Sequence, residues 1–280
     1  MEPNKRRQLQ LWAAQIRKNG LEAVQAANSG HIGGSFSIAE ILAVLYFDRL
    51  RIDPQRPKKP DRDRFVLSKG HCTPGVYAAL ALRGFFPVED LKTFRRIDSY
   101  LSGHIEMKQV PGVDMSAGSL GQGLSVSAGM ALAARLDKLD YRVYTVVGDG
   151  EIQEGQNWEA AMAAAHFKID NLCLFVDNNR LQLDGPVDDI MSIYPLDDKF
   201  KAFGWHVIGI NGHDVVEISR ALDEAERTKG KPTALIAHTV KGRGVSIFEH
   251  GVKWHGGRPS PEEYAIAYSE LNKQIKELEG

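Results

Sequence analysis

Two polar triplets, each closing an apolar run, constrain this 280-residue chain more than anything else in it. Residues 141–147 (YRVYTVV) are rich in β-branched and aromatic side chains and predict a buried strand, ended by Gly148-Asp149-Gly150. Residues 157–168 predict a helix, with small alanines among Trp158, Met162 and Phe167. Residues 172–176 (LCLFV) predict a second strand, ended by Asp177-Asn178-Asn179. Strand, helix and strand in that order make a parallel pair, and open parallel sheets hold ligands outside the carboxyl ends of their strands. Gly148 lets the backbone turn sharply and come close to a ligand. The Asp149 carboxylate and the Asn179 amide oxygen then emerge from neighbouring strand ends, and the turn that follows can add a backbone carbonyl. A small ion such as Mg²⁺ takes about six oxygens and commonly shares them with phosphate and water. Either triplet alone is an ordinary turn. Together, across an intervening helix, they predict a site for a metal and a diphosphate.

The rest of the chain alternates in the same way. Helical periodicity marks residues 6–27, with Leu9, Trp12, Ile16, Leu21 and Val24 inward and Gly20 as a weak point. Residues 37–47 predict a helix with Ser37 as N-cap and Glu40 completing a capping box. Pro54, Pro57 and Pro60 mark a loop, and the basic residues between Arg51 and Arg64 are interleaved with Asp53, Asp61 and Asp63, as in a solvated segment. Further strands are predicted at 64–67, 206–210 and 232–238. Further helices are predicted at 73–83, 124–139, 196–203, 215–227 and 261–278. The fold class that follows is α/β: a central, mostly parallel sheet with helices on both faces, in one domain over residues 1–280. The last residues, LNKQIKELEG, read as a helix running out into charge, a natural stop.

Composition narrows the function. Charged residues are 25% of the chain with a net charge of −1, which gives no electrostatic reason to expect nucleic acid. The N-terminus lacks a signal-type apolar run, and no stretch approaches the roughly 20 apolar residues of a membrane span, so a cytoplasmic protein is expected. Two cysteines, Cys72 and Cys173, suffice neither for a disulfide framework nor for a zinc site. Cys173 reads as core. Cys72, at a helix start, reads as packing, although that position can also lower a thiol pKa.

Gly118-Ser119-Leu120-Gly121-Gln122-Gly123 precedes a helix. Its free backbone N–H groups suit an anion, although a tight packing turn would look the same. Four histidines lie in glycine-bearing turns: His31 in NSGHIGG, His71 in SKGHC, His104 in LSGHIE and His255 in VKWHGG. A shared polar pocket for a sugar would use such groups, because imidazole donates, accepts and moves protons near neutral pH. His166, His206, His213, His238 and His250 lack that context and read as structural.

These landmarks, NSGHIGG, SKGH, SGHIE, MSAGSLGQGLSVSAGMA, GDGEIQEGQNWEA, LDG and VKGRGVSIFEHGVKWHG, run in order from Asn28 to Gly256. In that order the chain resembles the transketolase family, whose members use thiamine diphosphate. Most are more than twice as long and add a pyrimidine-binding domain and a C-terminal domain. This chain is similar to the separate N-terminal subunit of a split transketolase. The resemblance implies that Mg²⁺ is held by Asp149, the Asn179 side chain and the backbone carbonyl of Leu181. It implies cofactor contacts from Gly118, Leu120, Gly148 and Gly150, with Lys241 facing the diphosphate. His71 and His255 would stand near cofactor and sugar, His31 and His104 would handle substrate, and Lys69 would line the same pocket. Glu154 and Glu159 would sit at a subunit interface and relay charge between active sites; charges favoured at a helix start are the plainer reading. Catalytic roles are expected for His31, His71, His104, His255 and Glu154.

The family also often has proline after the first and third of these histidines. Ile32 and Ile105 stand there instead, so the two loops lose a fixed φ.

The implied reaction moves a two-carbon ketol unit from a ketose to an aldose, with phosphorylated pentoses as the default substrates. A glutamate that the family supplies from the pyrimidine-binding domain lies outside this sequence. The expected enzyme therefore needs a second polypeptide, in a heterotetramer with two copies of each chain and its active sites at interfaces. Alternatives are a deoxyxylulose phosphate synthase, one chain of a 2-oxo acid dehydrogenase, a piece of a longer enzyme, or a catalytically silent cofactor-binding homologue.

Overall fold

Side-chain alternation along the predicted strands divides the interior in two. A computed structural model describes all of residues 1–280. The strands β1 (Arg64–Leu67), β2 (Val143–Gly148), β3 (Leu172–Asn178), β4 (His206–Asn211) and β5 (Thr233–His238) are all parallel, in the order β1-β2-β3-β5-β4. The helices are α1 (Pro3–Ala27), α2 (Ile32–Ser37), α3 (Ala39–Val44), α4 (Thr73–Arg83), α5 (Gly123–Leu136), α6 (Gly155–His166), α7 (Val187–Met191), α8 (Leu196–Ala202), α9 (Val215–Arg227) and α10 (Pro261–Glu279). Tyr144, Val146, Cys173 and Phe175 point into a core shared with α1, α3, α4 and α9. Their neighbours Val143, Val147, Leu172, Leu174 and Val176 point the other way, toward α5, α6 and α8. Every residue of β3 is buried, as a central strand covered on both faces must be. A smaller cluster joins Leu21 and Val24 of α1 to Phe36, Phe248, Trp254 and the inner face of α10.

Three local expectations fail for tertiary reasons. Ser37 is not an N-cap: it ends α2, and its hydroxyl donates to the Gly34 carbonyl (3.0 Å) and the Asp177 carboxylate (2.6 Å). Glu40 turns instead to Arg17 and His213. Hydrogen bonds to buried charges outcompete a local cap. A capping box does form at α10, between Ser260 and Glu263. Gly20 does not weaken α1; a Cβ there would stand 3.3 Å from the Pro74 carbonyl, so the glycine lets α4 pack close. The 51–64 loop is not wholly solvated, because buried Asp63 accepts the backbone N–H groups of Arg51 (2.8 Å) and Arg142 (2.9 Å). Ile32 and Ile105 are both buried, so apolar packing holds those two loops.

Candidate functional site

The carboxyl ends of β1, β2, β3 and β5 converge on a cavity of about 320 Å³. Lys69, His71, Leu120, Gly148, Asp149, Gly150, Glu154, Asn179, Leu181, Lys241 and His255, all singled out from sequence, line it.

Parallel pairing sets its deep end. Gly148 lies opposite Asp177 in the β2–β3 register, so the two triplets end side by side. Asp149 is 1% exposed, and its carboxylate accepts only backbone N–H groups, those of Gly150 (2.8 Å) and Arg180. Burial, followed by the charge of Asp177, pushes its pKa up to about 7. Asn179 donates its Nδ2 to Asp177 (2.9 Å), and its Oδ1 accepts the Leu181 N–H (3.1 Å). The Leu181 carbonyl accepts from Lys241 Nζ at 3.0 Å, so the chain's own ammonium rests on one of the three oxygens expected for a metal. No group of three His, Cys, Asp or Glu side chains is placed to hold a metal alone. An ion here would therefore complete its shell with phosphate and water.

Asp177, which sequence reasoning left without a role, organises this end. It is fully buried and paired with Lys69, and it accepts from Ser37, Thr239 and Asn179. Burial pushes its carboxyl up, but the Lys69 ammonium and these donors outweigh that and hold it below the usual range. The same pair keeps Lys69 charged despite burial.

Glu151 was also missed. It accepts from Ser68 Oγ (2.5 Å), Gly121 N (2.9 Å) and Gly148 N (3.0 Å), which stitches the glycine-rich turn to the end of β2. Gly121 has φ +82°, and a Cβ there would lie 2.6 Å from that of Glu154. The signal for both missed acids lay in the triplets themselves: Asp177 opens one, and Glu151 follows the other.

The four histidines come together. Ring centroids lie 5.1 Å apart for His31 and His71, 6.2 Å for His31 and His104, 5.5 Å for His31 and His255, and 4.9 Å for His71 and His255. Nδ1 of His31 is buried without a partner. Burial, then the positive charge of Arg95, lowers His31 to about 4; burial and Lys241 lower His255 to about 3. His71 and His104 are lowered too, chiefly by burial. The cluster is thus neutral near pH 7, and each ring can both donate and accept. Lys241 Nζ stands 2.9 Å from His255 Nδ1, and burial lowers its pKa to about 8.

Other predicted residues fall at the edge or outside. Gly118 is exposed beside the His104 ring, away from Asp149. Glu154 is exposed on the cavity rim, and Glu159 is exposed on α6, outside the cavity. Cys72 is fully buried with its thiol pushed up to about 11 by desolvation, which fits packing and not reactivity.

Residues 9–272 match the family profile described as transketolase, thiamine diphosphate binding domain. The chain is 47% identical over 266 residues to a 6-deoxy-6-sulfo-D-fructose transketolase subunit from a Clostridium species, covering 95% of this chain and 97% of that one. It is 45% identical over 271 residues to an apulose-4-phosphate transketolase subunit from Phocaeicola vulgatus, covering 97% and 96%. The crystal structure of Campylobacter jejuni transketolase superposes with a TM-score of 0.90 at 32% identity, over 99% of this chain but only 46% of that one. Strand-end carboxylate, four-histidine cluster and end-to-end similarity to separate subunits agree: the chain belongs to the transketolase family, as a transferase subunit built on its thiamine diphosphate-binding domain.

Proposed function

We propose that this chain, as one thiamine diphosphate-binding domain over residues 1–280, transfers a two-carbon ketol unit from a ketose phosphate donor to an aldose phosphate acceptor when joined by a second, pyrimidine-binding subunit. The observation that carries the reading is Asp149, a buried carboxylate with no cation of its own, beside Asn179 in a cavity lined also by the buried Lys69 and Lys241 and by His71 and His255, against which His31 packs.

Those residues fit the cofactor. Asp149, Asn179 and the Leu181 carbonyl would hold Mg²⁺, and Lys241, which rests on Leu181, would pair with the diphosphate. Leu120, Gly148 and Gly150, which line the cavity with Asp149, would meet the cofactor through their backbone, and Gly118 would do so beside His104. When bound, thiamine diphosphate supplies an electron sink for breaking and making the carbon–carbon bond. The chain's own residues orient the sugar and hold protons. His31, with an unpartnered Nδ1, and the exposed His104 would bond sugar hydroxyls. His71 stacks on His255, which contacts Lys241, and their neutrality lets each accept or give a proton. Lys69 neutralises Asp177, so the cation requirement falls on Asp149.

The need for a partner is supported by two relatives of the same length that are named as subunits, and by the chain's span of 46% of a complete transketolase. Glu154 and Glu159 form no salt bridge here. On α6, which starts just after Glu154 and carries Glu159, and on its neighbour α5, Met162 and Val126 are 58% and 38% exposed. Such a face suits a contact between copies, in a heterotetramer with Glu154 serving the charge relay. No helix is long and apolar enough to cross a membrane. Two free, buried thiols suit a cytoplasmic enzyme.

A steady-state assay of the chain co-purified with its partner, offering ketose phosphates against pyruvate, tests the reading. Turnover of ketoses that needs both chains is expected. Robust ketol transfer by this chain alone, or turnover of pyruvate instead, would overturn it.

A further inference from the structure

Behind the cavity, and touching none of its lining directly, lies a second set of buried charges. Arg17 of α1 is 4% exposed and grips Glu40 of α3 with two hydrogen bonds, at 2.7 and 2.6 Å. Its remaining donors go to the Phe36 carbonyl (3.0 and 3.3 Å). Glu40 also lies 2.9 Å from Nδ1 of His213, in the turn after β4. On the far side of that ring, Nε2 accepts the backbone N–H of Val240 at 2.8 Å.

An amide N–H can only donate, so Nε2 must present a lone pair. His213 is therefore neutral, with its proton on Nδ1 and directed at Glu40. Each group fixes the next: the guanidinium sets the carboxylate, the carboxylate sets the tautomer, and the tautomer holds one backbone amide. That amide belongs to the residue before Lys241, whose side chain reaches Leu181 and His255. The loop then closes through two more backbone bonds, Gly242 to the Gly33 carbonyl (3.0 Å) and His250 to the Lys241 carbonyl (3.0 Å).

A buried ion pair is a poor source of stability, because desolvation cancels most of its attraction. Its use here is placement. We infer that Arg17, Glu40 and His213 are positioning residues that clamp the chain at Val240 and so hold Lys241 and His255 at the cofactor site without touching it. The inference rests on the thiamine diphosphate reading only for its effect on affinity; the clamp itself is a statement about this chain.

The test uses the chain with its partner subunit. His213→Phe keeps the ring's shape and removes both polar contacts. It should speed hydrogen exchange at residues 239–244 at least tenfold, leave β2 and β3 protected, and weaken thiamine diphosphate binding in Mg²⁺ by at least tenfold. His213→Gln, which can place an acceptor near the lost Nε2, should recover most of both effects. Arg17→Met with Glu40→Leu should melt no lower than wild type yet still loosen 239–244, which a merely structural pair would not do. Should His213→Phe fail to fold, His213→Asn, which keeps a donor near Glu40 and loses the acceptor, decides in its place. Unchanged exchange at 239–244 in His213→Phe, or in His213→Asn where it stands in, overturns the clamp. Loosened exchange with no cofactor binding even by wild type would uphold the clamp and sink the cofactor reading instead.

Discussion

Asp149 and Glu40 are both buried carboxylates, yet they differ in what completes them. Glu40 is desolvated, but Arg17 and then His213 outweigh that and press its pKa down to about 2. Asp149 has only backbone amides, faces another carboxylate, and rises to about 7. A buried charge that the protein neutralises from within serves the fold. One left short of a counter-ion in the depth of a cavity is made for something that arrives from outside.

The largest effect separating the two should come from breaking the matched set. Glu40→Ala strands Arg17 in the interior and should cost about 3–5 kcal/mol in denaturant unfolding. A loss under about 1 kcal/mol would mean that the pair is not the closed unit described here. Asp149→Ala should do the reverse. Thermal stability should hold or rise, because an unmatched charge is removed. Thiamine diphosphate affinity in Mg²⁺ should fall by more than the roughly 10–100-fold typical of losing an outer partner. Calorimetry showing wild-type affinity in this variant removes the site assignment.

Ser37→Ala takes one donor from Asp177 and should destabilise by about 1.5–3 kcal/mol, as expected for a hydrogen bond to a charged group. If melting is unaffected, Asp177 is not the organising acid.

The smallest effect is the titration of the histidine cluster. Folded His31 and His255 sit at about 4 and about 3, against 6.5 in the unfolded chain. Between these values the unfolded state binds protons that the folded state refuses. Stability is therefore complete above pH 6.5 and declines as pH falls toward 3. His31→Gln with His255→Gln should flatten the melting profile across that window, and a profile as steep as wild type would show that other groups carry the acid sensitivity.

Much of the site around Asp149 rests on signals legible in the sequence. Apolar runs rich in β-branched and aromatic residues and the two triplets are local signals, and they located β2, β3 and the Asp149–Asn179 pair. Turn-borne histidines signalled a pocket because glycine flanks are local too. Ser37 and Glu40 misled because three-residue spacing matches a capping box, while their actual partners are 140 and 173 residues away in Asp177 and His213. Glu151 and Asp177 were in view but unassigned, since a carboxylate's role depends on which donors converge on it.

By itself, then, the chain's order of residues determined the α/β class, the strand ends that carry the chemistry and the family, because each follows from periodicity or from short motifs. Tertiary structure alone decided which buried acid is neutralised and which is left for a cation, which histidine holds a backbone amide, and where Lys241 rests. Those outcomes depend on desolvation and on donors brought together from distant segments, and neither exists until the chain has folded.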